Sequence, residues 1–421
     1  MAQITIKATN HTNKDKDDFV GMKFEGGNDK EKGVVNAIFP LGYNLPEQDE
    51  LKKDLFELLE RIKEYSKNYN KLDLYGTDNK EQDFPFDAYI TVIKMFMNYG
   101  YYEESEIRYR EDGAGKINWK YTISRIKPLI QGRSPIYTSF IVKETRKKTD
   151  RMISLIHEWC VYEAFVKLGW LFSSFLPYKP SMKIDINNKI FCISVIKDAL
   201  RITFNDRYKK LFNNMLAMLG FIRDDNSEAF FFGTTHFHTV WEGMVDASLG
   251  SIFYQEKKKY FPPARWFFDA SNIKDKGNSL IPDTIMICES DAEKKNAFLI
   301  DAKYYGFINN NKRVPAAADI NKQIAYGKYA DDKGAFKNVY NAFILPGKHN
   351  NTYDDKFKYI GYSALVDENF KPKGYKTYER ILGVLIDTKW LIQNVSKIKN
   401  QKEKLGSLIQ KNYDKIMNID K

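Results

Sequence analysis

The chain has 421 residues, too many for one small core and enough for two or three domains. Its 43% hydrophobic and 15% aromatic residues exclude a disordered polypeptide, and no apolar run approaches the roughly 18 residues of a membrane helix. Lys and Arg number 66 against 55 Asp and Glu, for a formal charge of +11, and neutralisation of phosphates by such an excess is favoured through counterion release.

Met1–Asp18 is polar, reads as flexible, and lacks the apolar core of a signal peptide. Phe19–Phe24 and Val34–Phe39 read as a β-hairpin about the turn Gly26–Asp29. From Glu47 to Asn68 apolar residues fall at 51, 55, 58, 59 and 62, a helical repeat; Asp83–Tyr102 shows helical spacing again after the polar stretch Gly76–Gln82. Between Lys116 and Tyr137, the basic residues Lys116, Lys120, Arg125, Lys127 and Arg133 interleave with aromatic and aliphatic ones. That segment is either a surface for nucleic-acid backbone or a partner, or a strand and helix whose basic side chains face water. Met152–Leu168 and Tyr208–Phe221 read as amphipathic helices, so residues 80–220 are expected to be mainly α, with Trp170–Leu176 as core.

From about Phe221 short apolar strands appear among turns: Thr284–Cys288, Ala297–Ala302, Tyr340–Leu345, Tyr359–Leu365 and Ile381–Ile386. Helices are expected at Thr239–Leu249, Ala316–Tyr329 and Lys402–Ile416. The fold class is α/β (α+β overall), with a mixed central sheet flanked by helices. Three domains are expected: 1–80, a β-hairpin and helix; 81–220, mainly helical; and 221–421, the α/β core.

Two acids stand at strands of that core. Asp283, in Ile281–Pro282–Asp283, precedes Thr284–Ile287; eighteen residues later Asp301, in Asp301–Ala302–Lys303, follows Ala297–Ile300. Carboxylates on neighbouring strands can share a hard divalent cation such as Mg²⁺. Lys303 falls on the same sheet face as Asp301, because side chains alternate with period two. Together they form equipment for metal-assisted phosphodiester hydrolysis, and the arrangement resembles the PD-(D/E)xK nuclease superfamily. That resemblance implies metal ligation by Asp283, Asp301 and the Ala302 carbonyl, with Lys303 orienting or activating water. Glu242, in the helical segment Val240–Val245, matches the acid that such nucleases add from a preceding helix; its plainer reading is a solvated or salt-bridged helix acid. Gln323 and Tyr326 match a Gln/Tyr pair beside the metal site, with Gln323 shaping the site or touching a phosphate. Ordinary helix packing is the alternative for both.

Other acid-any-Lys triplets compete. Asp354–Asp355–Lys356 lies in a polar loop, and Asp387–Thr388–Lys389 follows the strand Gly383–Ile386, where Asp387 reads as a strand-end residue turning into the C-terminal helix. His236 and His238 read as helix-entry packing rather than a zinc pair, and His11, His157 and His349 have no constellation. Cys160, Cys192 and Cys288 form no CxxC pair and read as buried thiols, so a cytoplasmic location is expected. No G-x-x-x-x-G-K-[ST] loop occurs, so the chain is not expected to hydrolyse a nucleotide itself.

Over most of its length the chain resembles the LlaJI family of restriction endonuclease subunits, akin to the McrC nuclease subunit of McrBC-type systems. Phe19–Gly21, Phe39–Asn44, Gly115–Lys120, Trp241–Glu242, Pro282–Asp283, Asp301–Lys303 and Gln323–Tyr326 carry the resemblance. It implies a Mg²⁺-dependent cut in double-stranded DNA (Mn²⁺ being an acceptable substitute), with no membrane. It also implies a McrB-like GTPase of the AAA+ class as partner, GTP being used only by that partner. One active site serves one strand, so a duplex break calls for two sites, as dimerisation supplies. Two other readings stay open: a self-sufficient type II endonuclease whose residues 80–220 read DNA, and a non-catalytic DNA-binding scaffold.

Overall fold

The computed structural model describes residues 3–11, 18–26, 32–66, 84–148, 152–172, 175–222, 229–263, 279–288, 295–307, 313–348, 356–395 and 399–419. Residues 27–29 of the expected turn Gly26–Asp29, the stretch Gly76–Gln82, His349, Asp354 and Asp355 lie outside them. The chain forms two compact units, Ile4–Asp83 with Ala229–Lys421, and Met1–Gln3 with Phe84–Glu228. Among the described residues no helix is long and apolar enough to cross a membrane.

In chain order the first elements are β1 (Gln3–Asn10), β2 (Val20–Gly26), β3 (Lys32–Phe39) and α1 (Gln48–Ser66). The expected hairpin is β2–β3, antiparallel with Met22 opposite Ala37. The stripe Leu51, Leu55, Leu58, Leu59 and Ile62 is the buried face of α1. Part of the segment that reads as flexible is instead the strand β1 on the edge of that sheet; Ile4, Ile6 and Ala8 alternate with polar residues, the period-two pattern of a half-buried strand.

The second unit holds α2 (Phe86–Tyr99), β4 (Glu104–Glu111), β5 (Lys116–Ile117), α3 (Trp119–Arg125), β6 (Leu129–Gln131), β7 (Ser134–Ile136), β8 (Ile141–Lys148), α4 (Met152–Leu168), α5 (Ile186–Ile202) and α6 (Asp206–Gly220). It is helical as expected at both ends but not across residues 104–148, where β4–β8–β5 and β6–β7 form two small sheets. Two further differences concern helices. The expected amphipathic helix α4 buries Ile153, Ile156, His157, Trp159, Cys160, Val161, Ala164, Phe165 and Leu168, more than one face, because α2, α5 and α6 pack around it. α5, not anticipated, opens with a capping box on Asp185 and Asn188.

The remaining elements return to the first unit: β9 (Phe230–Thr234), α7 (Phe237–Leu249), α8 (Tyr254–Lys257), β10 (Thr284–Cys288), β11 (Asn296–Ala302), α9 (Ala317–Asp332), β12 (Val339–Gly347), β13 (Phe357–Ser363), β14 (Ile381–Asp387), α10 (Thr388–Asn394) and α11 (Lys399–Ile419). β9 joins the N-terminal strands in the order β1–β3–β2–β9. The larger sheet runs β10–β11–β12–β14–β13, with β11, β12 and β14 parallel and both edges antiparallel. This is the expected mixed sheet. β11 and β12 are buried at every position, as strands covered on both faces must be. On one face Leu299, Ile285 and Val339 pack with Tyr326 and Ala330 of α9. On the other, Phe298 stacks on Tyr340 at 5.1 Å and Tyr413 of α11 meets Tyr340 edge-on at 5.5 Å.

The segment after β3 is locked against the far end of the chain. The Leu41 amide donates to the Tyr304 hydroxyl (2.8 Å), and the Thr388 hydroxyl donates to the Leu41 carbonyl (3.0 Å). Gly42 between them has φ +70°, and a Cβ there would lie 2.8 Å from the Gly347 nitrogen and 2.9 Å from Thr388 Oγ1. Only glycine fits this crossing.

Candidate active site

The parallel strands deliver their carboxyl ends to one edge of the sheet, where side chains no longer needed for packing can meet a ligand. Asp301 sits at that end of β11 and Asp283 just before β10. The antiparallel register pairs Thr284 with Ile300, so continuing it by one residue sets Asp283 beside Asp301. The two acids are held differently. Asp283 Oδ2 accepts from the Ala302 amide (3.0 Å), while the buried Lys257 ammonium donates to the Asp283 carbonyl and to Asp246 Oδ1 of α7 (2.9 Å). Asp301 is 2% exposed and neither oxygen has an aligned hydrogen-bond donor among the described residues. Its compensation is ionic: Lys303 Nζ lies 2.8 Å from Oδ2 and Lys322 Nζ 3.7 Å from Oδ1. The Lys303 amide still bonds to the Ile344 carbonyl (2.9 Å), which keeps residue 303 in the extended conformation that aims its side chain like that of Asp301.

α9 supplies the rest. Its first-turn Asp319 accepts from the Ala316 amide through Oδ2 (3.1 Å) and faces Lys303 Nζ through Oδ1 (2.9 Å). One turn on, Lys322 leans over the Tyr326 ring, 5.5 Å from its centroid. The neighbouring stripe of the helix is buried: Gln323 donates to the Leu299 carbonyl (2.8 Å) and to Asn341 Oδ1 (3.2 Å), and the Tyr326 hydroxyl donates to the Ile281 carbonyl (2.8 Å). Gln323 is 1% exposed; it ties the helix to β11 two residues before Asp301 rather than reaching the acids.

The electrostatics follow from this crowding. Burial, then the charges of Asp283 and Asp301, push the Glu242 carboxyl on α7 up to about 7. Burial and the Asp301 charge raise Asp283, with the Ala302 amide and Lys322 opposing. Burial works against the Lys303 charge, but the carboxylates of Asp301 and Asp319 outweigh it and raise its pKa. Glu242 is thus within electrostatic reach of both aspartates. Even so, among the described residues no three His, Cys, Asp or Glu side chains converge tightly enough to form a ready-made metal cage. The donors are hard oxygens short of positive charge, with a buried carboxylate lacking aligned donors, and they fit a divalent cation that keeps part of its water shell.

The competing motif is used otherwise. Asp387 Oδ1 caps α10 by accepting from the Trp390 amide (3.1 Å), the strand-end reading. Lys389 pairs with Asp54 (2.8 Å) and Glu50 (3.1 Å) of α1. His236 stands at the entry to α7, and the buried His157 accepts from the Tyr102 amide at 2.9 Å. All three cysteines are free, Cys288 only half-buried.

Sequence reading alone does not single out Lys257, Asp319 or Lys322 as partners of the acids. Asp319 and Lys322, spaced i, i+3 on the helix that carries Gln323, offer the one signal that could have found two of them.

The chain is 28% identical over 352 residues to the Type II restriction enzyme BsuMI component YdjA of Bacillus subtilis (strain 168), a match spanning 80% of this chain and 73% of that protein. The model of the LlaJI restriction endonuclease family matches residues 31–368, a span that contains Glu242, Asp283, Asp301, Lys303 and α9 and stops short of Asp387. The chain belongs to the LlaJI restriction endonuclease family.

Proposed function

We propose that this chain is the Mg²⁺-dependent DNA-cleaving subunit of a multi-component restriction system, acting with a McrB-like GTPase. The observation that carries the nuclease reading is the pairing of Asp283 and Asp301 at adjacent strand ends, with the Lys303 ammonium 2.8 Å from Asp301. Family membership supports the restriction role, and the relative's printed name, a component of a restriction enzyme, supports a multi-subunit assembly.

Asp283 and Asp301 would hold the cation with the Ala302 carbonyl, and Glu242 would act as a third oxygen donor reached through water. Mg²⁺ binds through one or two carboxylates plus waters and substrate phosphates, which suits a site whose described residues form no closed cage. When bound, the cation would polarise the scissile phosphate and acidify a water. Lys303, fixed by Asp319 from the other side, orients that water and offsets charge on the phosphate. Gln323 sets the position of β11 against α9. The GTPase partner rests on the resemblance to McrC-type subunits and on a sequence with no phosphate-binding loop of its own.

One observation favours the alternative of a self-sufficient endonuclease. Residues 104–148 carry eleven Lys and Arg against five Asp and Glu, a net +6 in a chain that totals +11, which suits a polyanion. The deciding experiment is cleavage of modified and unmodified plasmid with Mg²⁺, by the chain and its Lys303→Ala variant, alone and with the GTPase encoded beside its gene plus GTP. Cleavage only with partner and GTP supports the subunit reading. Cleavage by the lone chain, lost in the variant, moves base readout into the second unit. Undiminished cleavage by the variant removes Lys303 from the site.

A further inference from the structure

The two lysines at Asp301 are not equivalent. Lys303 is gripped on both sides, by Asp301 at 2.8 Å and by Asp319 at 2.9 Å, and the other oxygen of Asp319 is taken by the Ala316 amide. It has little freedom to leave. Lys322 has Asp301 as its single carboxylate within ion-pair distance among the described residues, at 3.7 Å, beyond hydrogen-bond length, and its side chain is 38% exposed. The Tyr326 ring beneath it limits where the stem can swing. Its charge nevertheless reaches both Asp283 and Glu242, so it serves the whole acid group without being tightly bound to any member.

We propose that Lys322 is an exchangeable cation: in the metal-free protein it neutralises Asp301, and when a divalent ion takes that carboxylate the ammonium moves to a phosphate oxygen of the bound DNA strand. The inference rests on the nuclease reading given above. A divalent ion on Asp301 repels an ammonium a few ångströms away, while an arriving DNA strand presents the anionic oxygens that the displaced lysine lacks. Metal and DNA are thereby coupled through one side chain, since the metal that evicts Lys322 makes it available to phosphate.

The proposal gives a signature of opposite signs. Lys322→Gln removes a competitor for Asp301, so Mn²⁺, titrated without DNA, binds roughly three- to tenfold tighter than to the wild type. The same variant binds duplex DNA more weakly in Ca²⁺, roughly three- to tenfold, and its log-log salt slope falls by about one. Lys322→Arg keeps the DNA affinity and slope. Lys322→Met, which keeps the apolar stem over Tyr326, replaces the Gln variant if a thermal melt shows the latter misfolded.

Tighter Mn²⁺ binding with unchanged DNA binding would reduce Lys322 to a counter-charge and overturn the proposal. So would unchanged or weaker Mn²⁺ binding. Asp301→Asn separates the two levels of the argument. Wild-type protein with no saturable Mn²⁺ site that Asp301→Asn removes sinks the nuclease-site reading itself. A site that Asp301→Asn removes but Lys322→Gln does not strengthen sinks this inference alone.

Discussion

The sheets of the two units treat apolar residues in opposite ways. In the unit built from Ile4–Asp83 and Ala229–Lys421, β11 and β12 are buried at all sixteen positions. In the other, β5, β6 and β7 are exposed at all eight, and Trp119, Ile123, Leu129 and Ile130 stand 52–69% exposed. A buried sheet is rigid because every side chain has neighbours to lose, and a rigid edge is what two like-charged carboxylates need if they are to stay together. Small sheets that leave apolar and basic side chains in water have the character of a recognition surface. The candidate site thus belongs to one unit, and the exposed apolar and basic sheet surface to the other.

The sharpest way to break that division is at the acids. Asp301→Asn should lower DNA cleavage by about a thousandfold or more with an unchanged circular dichroism spectrum; retained cleavage would move the chemistry elsewhere. Next in size is the core beneath them. Phe298→Ala, at a position with no exposure and stacked on Tyr340, should cost about 3–5 kcal/mol in denaturant unfolding. A cost below about 1 kcal/mol would mean the sheet is looser than its burial implies.

A smaller effect comes from the burial of the Glu242 carboxyl and its repulsion by Asp283 and Asp301. Glu242 rises from an ordinary 4.5 to about 7, so between those values the folded protein holds a proton that the unfolded chain has lost. Stability of the metal-free protein should therefore fall as pH rises from about 4.5 to about 7 and level off above. Differential scanning calorimetry should show Glu242→Gln flattening this slope and raising Tm at pH 8 by a few degrees, on the order of 1 kcal/mol; a slope identical in the variant would mean Glu242 does not face the aspartates. The least effect is expected on the other unit's surface. Leu129→Ser with Ile130→Ser should move Tm by less than about 1 °C, since exposed substitutions fall within about ±0.5 kcal/mol. A large drop would show that these side chains are covered after all.

What could be read from the sequence follows the same division. Ala297–Ile300 is an unbroken apolar run that ends at Asp301, and Ile285–Ile287 is one that begins just after Asp283 and Thr284, so both strands and the grouping of Asp283, Asp301 and Lys303 were legible. The α1 stripe was equally plain, because one face meets the core. Residues 104–148 were not: exposed strands need no regular apolar period, and Arg108, Tyr109 and Arg110 in sequence give no sign of β4. Lys257, Asp319 and Lys322 were invisible as partners for another reason. Each reaches its partner in the site across 16 to 26 residues of chain, and only the register of the sheet and the packing of α9 bring them there.

The Gly42 crossing has a consequence in time rather than in space. Leu41 is held by Tyr304 and Thr388, partners that lie 263 and 347 residues further along the chain. Contacts of such separation form late, since the loop between them must first be closed, and domains fold from the N-terminus as the ribosome supplies them. Phe84–Glu228 is contiguous and can fold while the strands before it still lack their partner β9. The sheet end that holds Asp301 is braced only after Thr388 has emerged, so a truncated or still-growing chain carries a folded Phe84–Glu228 unit beside an unfinished candidate site.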